Sequence, residues 1–184
     1  MGNLLTRGQK IVISKEDDAV LTRLTLELIY HNRDVEAWDI DVFAYMLEEN
    51  NVVRKKNIVF YNQPVDDHNS FLFTETYQDQ LSKSLDINLK KVPDTIHKIA
   101  IGISLYKNNG AIKDKLRIQL NCTQNQINSK VFQIEEQMDI NEERSLIVGE
   151  YYRYKDSWKF GTILLKSNQS LLNSIRNFYN VNII

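Results

Sequence analysis

The stretch WDIDVFAYML, residues Trp38–Leu47, shows the pattern that decides the fold of this 184-residue chain. Successive side chains of a β-strand point to opposite faces, so residues i, i+2 and i+4 share one face. From Val42 to Leu47 both alternating sets are apolar. The pattern therefore predicts a strand that is buried on both of its faces.

Strands of related kinds recur on either side of this stretch. Ile99–Leu105 is again apolar on both faces, whereas Leu116–Cys122 alternates apolar with polar residues, which predicts one solvated face. This mixture favours two antiparallel sheets packed face to face. Further strands are expected at or near Lys10–Ser14, Leu24–Leu28, Ile58–Tyr61, Leu85–Leu89, Val131–Glu135, Leu146–Tyr154 and Trp158–Leu164.

Near the C-terminus the apolar spacing changes from two residues to that of a helix. The residues at this spacing are Leu171, Leu172, Ile175, Phe178 and Tyr179. They predict one amphipathic helix that packs on a sheet, with Ser167 or Ser170 as its N-cap. We therefore expect a mainly all-β fold in a single domain, residues 1–184. Its architecture would be a two-sheet antiparallel β-sandwich with a short C-terminal helix.

Composition indicates the class of protein and its surroundings. Hydrophobic residues make up 42% of the chain and charged residues 26%, which is typical of a globular protein. Cys122 is the single cysteine, so a reducing, cytoplasmic compartment is expected. The sequence has no apolar run of the ~18 residues that an integral membrane helix needs. Its basic residues lack the clustering of a nucleic-acid groove, so we expect no nucleic-acid partner.

Charge is distributed unevenly although the formal net charge is only −1. Between Asp34 and Asp79 the chain has ten acidic and three basic residues, a local net charge of −7. Such a segment indicates either a cation site or a surface for a basic partner. A set of solvated acidic loops is the alternative.

Sequence signatures of catalysis are missing. The glycines stand singly, so no phosphate-binding loop can form, and no nucleophile elbow is present. His68, next to Asp66 and Asp67, is better explained as an exposed loop residue than as a catalytic base. Cys122 continues the apolar face of its strand and should be buried and inert. We therefore expect that the protein is not an enzyme.

Asp39 and Asp41 are the strongest candidates for a metal site. Residues i and i+2 of a strand lie on one face, about 6.6 Å apart at Cα, and a hard cation relieves the repulsion between two such carboxylates. Ca²⁺ takes 6–8 oxygen ligands, so further donors are needed. Candidates in the acidic segment are Asp66, Asp67, Glu75, Asp79 and the amides of Asn62 and Asn69. The alternative is that the aspartate pair consists of polar residues on the solvent side of the strand.

An ordered set of motifs resembles one protein family. The segment 149–153, Gly-Glu-Tyr-Tyr-Arg, is similar to a Gly-Glu-Leu-Tyr-Arg motif of the TerD-like tellurium-resistance and calcium-binding stress proteins. Trp38–Leu47 similarly resembles that family's Asp-hydrophobic-Asp-x-Ser-Ala-Phe-Leu-Leu signature. Further similar segments are Thr6–Lys10, Ile13–Lys15, Ile58–Asn62, Leu85–Pro93 and Ser157–Phe160. They occur in the family's order from about residue 4 to residue 183.

The resemblance implies a two-sheet sandwich that binds calcium, with the family's aspartate pair at Asp39 and Asp41. Glu150 also matches a signature residue, and its role could equally be structural. The stretch Phe73–Ser84 departs from the family, because a run rich in glycine and aspartate is expected there and most of it is absent. Fewer carboxylates should weaken calcium binding. We therefore expect one weak Ca²⁺ site or none.

Two functions follow from these observations. The first is a calcium-binding stress-response protein of the tellurium-resistance family that acts by binding rather than catalysis. The second is a metal-free protein–protein interaction module on the same scaffold. Other proteins of a stress system are the expected partners in either case.

Overall fold

The computed structural model describes residues 3–15, 23–31, 38–77, 81–107, 115–124, 129–155 and 157–184. These residues form fourteen strands and one α-helix. The strands are β1 (Asn3–Leu4), β2 (Lys10–Lys15), β3 (Arg23–His31), β4 (Trp38–Glu48), β5 (Val52–Val53), β6 (Ile58–Val59), β7 (Phe71–Tyr77), β8 (Leu81–Asn88), β9 (Ile96–Lys107), β10 (Lys115–Gln124), β11 (Ser129–Asp139), β12 (Ser145–Tyr154), β13 (Ser157–Ser167) and β14 (Asn182–Ile183). The helix is α1 (Leu171–Tyr179).

Twelve of these strands make two sheets of six. The first sheet has the order β1-β11-β10-β3-β8-β7, and the second has the order β2-β13-β12-β9-β4-β6. Neighbours in both sheets are antiparallel except β1, which lies parallel to β11. The short strands β5 and β14 form a separate parallel pair. The predicted mainly-β, two-sheet antiparallel architecture is confirmed.

A continuous apolar layer lies between the two sheets, and an aromatic cluster marks its centre. The ring of Phe132 in β11 stacks on that of Phe160 in β13, with centroids 4.5 Å apart. Tyr151 of β12 meets Phe160 edge-on at 4.8 Å. All three side chains are fully buried. Because Phe132 and Phe160 belong to different sheets, burial of these rings holds the sheets together.

Strand β4 is buried on both faces, as its sequence predicts. Ile40, Val42 and Met46 contribute to the layer between the sheets. Phe43 and Tyr45 belong to a second apolar cluster that includes Leu171 and Ile175 of α1. The C-terminal helix therefore covers the outer face of the second sheet, which explains why the part of β4 from Val42 to Leu47 is apolar on both faces.

The predicted helix is confirmed, and Ser170 is its N-cap. The Ser170 hydroxyl accepts a hydrogen bond from the backbone N–H of Asn173 at 3.4 Å. Asn180 ends the helix in the left-handed conformation, and its N–H bonds to the carbonyl of Arg176. Within the described parts of the chain no helix is long and apolar enough to cross a membrane, since α1 has nine residues.

Strands β7 and β8 differ from the sequence analysis, which placed a strand only at Leu85–Leu89 in this region. Most of the stretch Phe73–Ser84, compared above with a metal-binding run, is strand in the structure. Phe71–Tyr77 pairs in antiparallel register with Leu81–Ile87. The physical reason is burial: Phe71 and Phe73 of β7 and Leu85 of β8 enter the layer between the sheets.

Gly149 provides a test of the packing between β12 and β13. A Cβ atom at Gly149 would lie 2.4 Å from the carbonyl oxygen of Gly161 and 2.7 Å from Cζ of Phe160. Gly149→Ala should therefore lower the free energy of unfolding by about 1–3 kcal/mol, as measured by urea denaturation.

Gly161→Ala is the matched control. Among the described residues its Cβ would meet Lys10 Cγ and Tyr152 Cε1, both at 3.6 Å, an ordinary van der Waals distance. This variant should lose much less stability. Equal losses for the two variants would contradict the packing described here.

Candidate functional site

The structure describes the side chains of four of the six acidic residues predicted as metal ligands: Asp41, Asp66, Asp67 and Glu75. The backbone of Asp39 lies in β4 opposite Tyr106 of β9. The side chain of Asp39 and the whole of Asp79 lie outside the described part of the chain. Their predicted role as ligands stays a prediction.

Asp41 is buried in an ion pair that joins the two sheets. Its Oδ1 atom accepts a hydrogen bond from Nζ of Lys83 at 2.6 Å. Asp41 belongs to β4 of the second sheet, and Lys83 to β8 of the first. The side chains are only 1% and 3% exposed. The carboxylate therefore meets a positive charge supplied by the protein itself.

Glu75 lies beside the same ammonium group. In the register of β7 and β8 it is directly opposite Lys83, so the two side chains share a face of the sheet. Its Oε1 atom is 3.7 Å from Lys83 Nζ, and its side chain is 25% exposed. The ammonium thus lies against carboxylates from β4 and β7, one from each sheet.

A calcium ion on Oδ1 of Asp41 does not fit beside the Lys83 ammonium. Ca²⁺ coordinates oxygen at 2.3–2.6 Å, so an ion on Oδ1 would compete for the space that the Lys83 ammonium occupies. The two positive charges would also repel each other strongly in a buried site. Among the described residues, moreover, no three His, Cys, Asp or Glu side chains are grouped so that they could hold a metal ion.

Asp66 organises the loop that leads into β7. Its carboxylate accepts backbone hydrogen bonds from His68 at 3.0 Å, Ser70 at 2.8 Å and Phe71 at 2.7 Å. The Ser70 hydroxyl adds a fourth bond at 2.9 Å. Asp66 is buried, whereas His68 is exposed, as the sequence predicts. The geometry gives Asp66 a structural role as a buried acceptor for its own loop.

Asp67 is an exposed neighbour with a different partner. Its Oδ2 atom is 2.5 Å from Nζ of Lys56. The hydrogen bond from Lys56 lowers the pKa of the Asp67 carboxyl below its usual value. The four described acids are therefore divided: Asp41 and Glu75 meet Lys83, whereas Asp66 and Asp67 belong to the loop before β7.

Lys83 is a residue of this cluster that was not predicted from the sequence. A signal for it exists in the alternation of β8, because Lys83 lies two residues from both Leu81 and Leu85. Leu85 and Ile87, at the same parity, are buried between the sheets. A lysine on the apolar side of a strand is rarely buried without a partner. Its partner Asp41 is 42 positions away in sequence, and only the fold brings the two together.

Cys122 and Glu150, which were also singled out in the sequence, both contact side chains of other strands. Cys122 is fully buried, as expected, and burial raises the pKa of its thiol to about 12. Its Sγ atom lies 3.6 Å from the hydroxyl of Tyr151. A buried thiol with a raised pKa, such as that of Cys122, is not a nucleophile at neutral pH. Glu150 makes an ion pair instead: it is 3.2 Å from Nζ of Lys98 in the neighbouring strand β9.

Comparison with known proteins identifies relatives over most of the chain. A family model described as the TerD domain matches residues 1–178. Tellurium resistance protein TerD of Serratia marcescens is 25% identical over 86% of this chain and 88% of its own length. General stress protein 16U of Bacillus subtilis strain 168 is 23% identical with the same coverage, 86% and 88%.

A solved structure agrees with the fold. It is that of a homologue of telluride resistance protein (TerD) from Streptomyces coelicolor A3(2). It matches with a TM-score of 0.62 over 88% of this chain and 99% of that one. The sequences are 9% identical in this comparison, so the match supports a similar fold and nothing further.

The role given to Asp66 can be tested by stability. Asp66→Ala leaves the buried N–H groups of Ser70 and Phe71 without their acceptor. Each unsatisfied buried donor costs about 1–3 kcal/mol, so the free energy of unfolding should fall by about 2–6 kcal/mol for the two together. Asp67→Ala is the control and should leave stability unchanged, because an exposed ion pair contributes little. Similar losses in both variants would contradict the assignment.

Proposed function

The chain belongs to the TerD family, and we propose that it serves stress or tellurium resistance by binding a partner protein, without catalysis and without calcium at Asp41. The relatives named for tellurium resistance and general stress support the physiological role. The Asp41–Lys83 ion pair is the observation that favours the metal-free form of this function over the calcium-bound form.

That pair supports the metal-free form for an energetic reason. A calcium ion at Asp41 would have to displace the Lys83 ammonium, which is 2.6 Å from the carboxylate and almost fully buried. Lys83 would then lose its ion pair with Asp41, and separating one member of a buried ion pair costs about 3–5 kcal/mol. The described residues offer no group of three His, Cys, Asp or Glu side chains that would offset such a cost.

The state of two potentially reactive side chains supports binding rather than catalysis. Cys122 is enclosed in the apolar layer with a raised thiol pKa. His68 is exposed, and its backbone rather than its ring makes the contact with Asp66. Neither residue is positioned in a way that activates a nucleophile or a general base.

Exposed apolar side chains near the loop that contains Asp66 and Asp67 support a protein partner. Tyr61, Val65 and Leu72 are all exposed large residues. Val65 and Leu72 face each other across an antiparallel bridge, and Val65 directly precedes Asp66 in the loop. Exposed apolar groups rimmed by charge are typical of protein-binding surfaces.

The metal-free form is tested by a thermal melt of chelator-treated protein with and without millimolar Ca²⁺. We expect the same Tm in both conditions. A site with Kd one hundredth of the Ca²⁺ concentration would stabilise the native state by about 2.7 kcal/mol. For a chain of this size that corresponds to a rise of roughly 5–11 °C.

Two controls are needed to interpret the thermal melt. An equal ionic strength of NaCl separates screening from specific binding. Asp41→Asn shows whether any calcium effect involves this carboxylate. A rise in Tm of the unmodified protein that disappears in Asp41→Asn would contradict the proposal.

A further inference from the structure

We propose that the ammonium of Lys83 is a resident cation: it replaces a bound metal ion between Asp41 and Glu75 and makes the junction of the two sheets independent of metal. This inference rests on the proposed metal-free function and gives it a cause. It further implies that removing Lys83 converts the junction into one that responds to divalent cations.

Geometry is the first support. The ammonium is 2.6 Å from Asp41 Oδ1 and 3.7 Å from Glu75 Oε1. These carboxylates come from β4 and β7, which belong to different sheets. Lys83 itself projects from β8, beside β7. The positive charge thus lies where a single ion would bridge the two sheets.

Burial is the second support. An ammonium that is 3% exposed requires close anionic partners, since an unpaired charge in an apolar interior is very costly. The neighbouring positions of β8, Leu85 and Ile87, are part of the apolar layer. Lys83 is therefore held in this layer by its carboxylate contacts, as a bound cation would be.

Size and charge make the replacement plausible in chemical terms. The N–O separation of 2.6 Å to Asp41 is at the upper end of the Ca²⁺–oxygen range of 2.3–2.6 Å. Lysine presents its charge as a compact point at the end of a flexible four-carbon stem. Truncating this stem removes the charge and leaves space beside the carboxylates, which an ion and its water ligands can enter.

Two substitutions of Lys83 separate charge from space. Lys83→Ala removes the ammonium and opens the site, whereas Lys83→Met removes the ammonium and fills most of the volume with an apolar chain. Both should melt below the unmodified protein in EDTA. With 5 mM CaCl₂, only Lys83→Ala should recover. A Kd of about 0.5 mM, as in weak calcium sites, would shift its folding equilibrium about elevenfold towards the native state.

The double variant Lys83→Ala/Asp41→Asn tests the location of the recovered ion and should not respond to Ca²⁺. If Lys83→Ala does not fold in EDTA, Lys83→Gln takes its place, with the same expected recovery because its neutral amide also supplies an oxygen ligand. Equal concentrations of NaCl control for screening.

The outcomes distinguish this inference from the proposed function. An unmodified protein without a Ca²⁺ response, together with no recovery of Lys83→Ala or Lys83→Gln, would overturn the resident-cation proposal and leave the metal-free function intact. A Ca²⁺ response of the unmodified protein that Asp41→Asn abolishes would overturn both. Recovery of Lys83→Met to the same extent as Lys83→Ala would also overturn the resident-cation proposal, because no space would then be needed.

Discussion

The fold depends on burying one continuous apolar layer between two six-stranded sheets, and any charge buried with that layer must be neutralised there. Most of the layer is supplied by aliphatic and aromatic side chains such as Ile40, Phe132 and Phe160. Lys83 is an exception: it lies on the same face of β8 as Leu85 and Ile87, and its ammonium contacts Asp41, which is also nearly inaccessible to water. Because water cannot solvate either charge, each stabilises the other, and their contact ties β4 to β8 across the sandwich.

Strand β4 links this ion pair to the rest of the protein. It pairs with β9 along eleven residues, supplies the apolar layer with one face, and supports helix α1 with the other. Asp41 lies near the beginning of the strand, where β6 does not reach, because β6 pairs only with Ala44 and Tyr45. The contact with Lys83 therefore lies beside a part of β4 that does not pair with β6.

The alternation of apolar and polar residues was sufficient to predict most strands and the packing of the sheets, because each strand face that is buried must be apolar and this shows in the strand's own sequence. The helix at Leu171–Tyr179 was predicted for the same reason. Strand β7 was missed, because its two buried residues, Phe71 and Phe73, are too short an alternation to predict a strand. The roles of Asp66 and Lys83 were also missed. The role of Asp66 depends on four hydrogen bonds within its loop. The role of Lys83 depends on a partner 42 residues away in sequence. Neither set of contacts can be read from the alternation of apolar and polar residues.

The most direct measurement of the central claim is a double-mutant cycle on Asp41→Asn and Lys83→Met, with stability measured by urea denaturation. Each single change removes the 2.6 Å contact of a buried charge and should cost about 3–5 kcal/mol. The double variant removes both charges, so its loss should be smaller than the sum of the two by more than 1 kcal/mol. Losses that add within about 0.5 kcal/mol would contradict a direct, buried Asp41–Lys83 interaction.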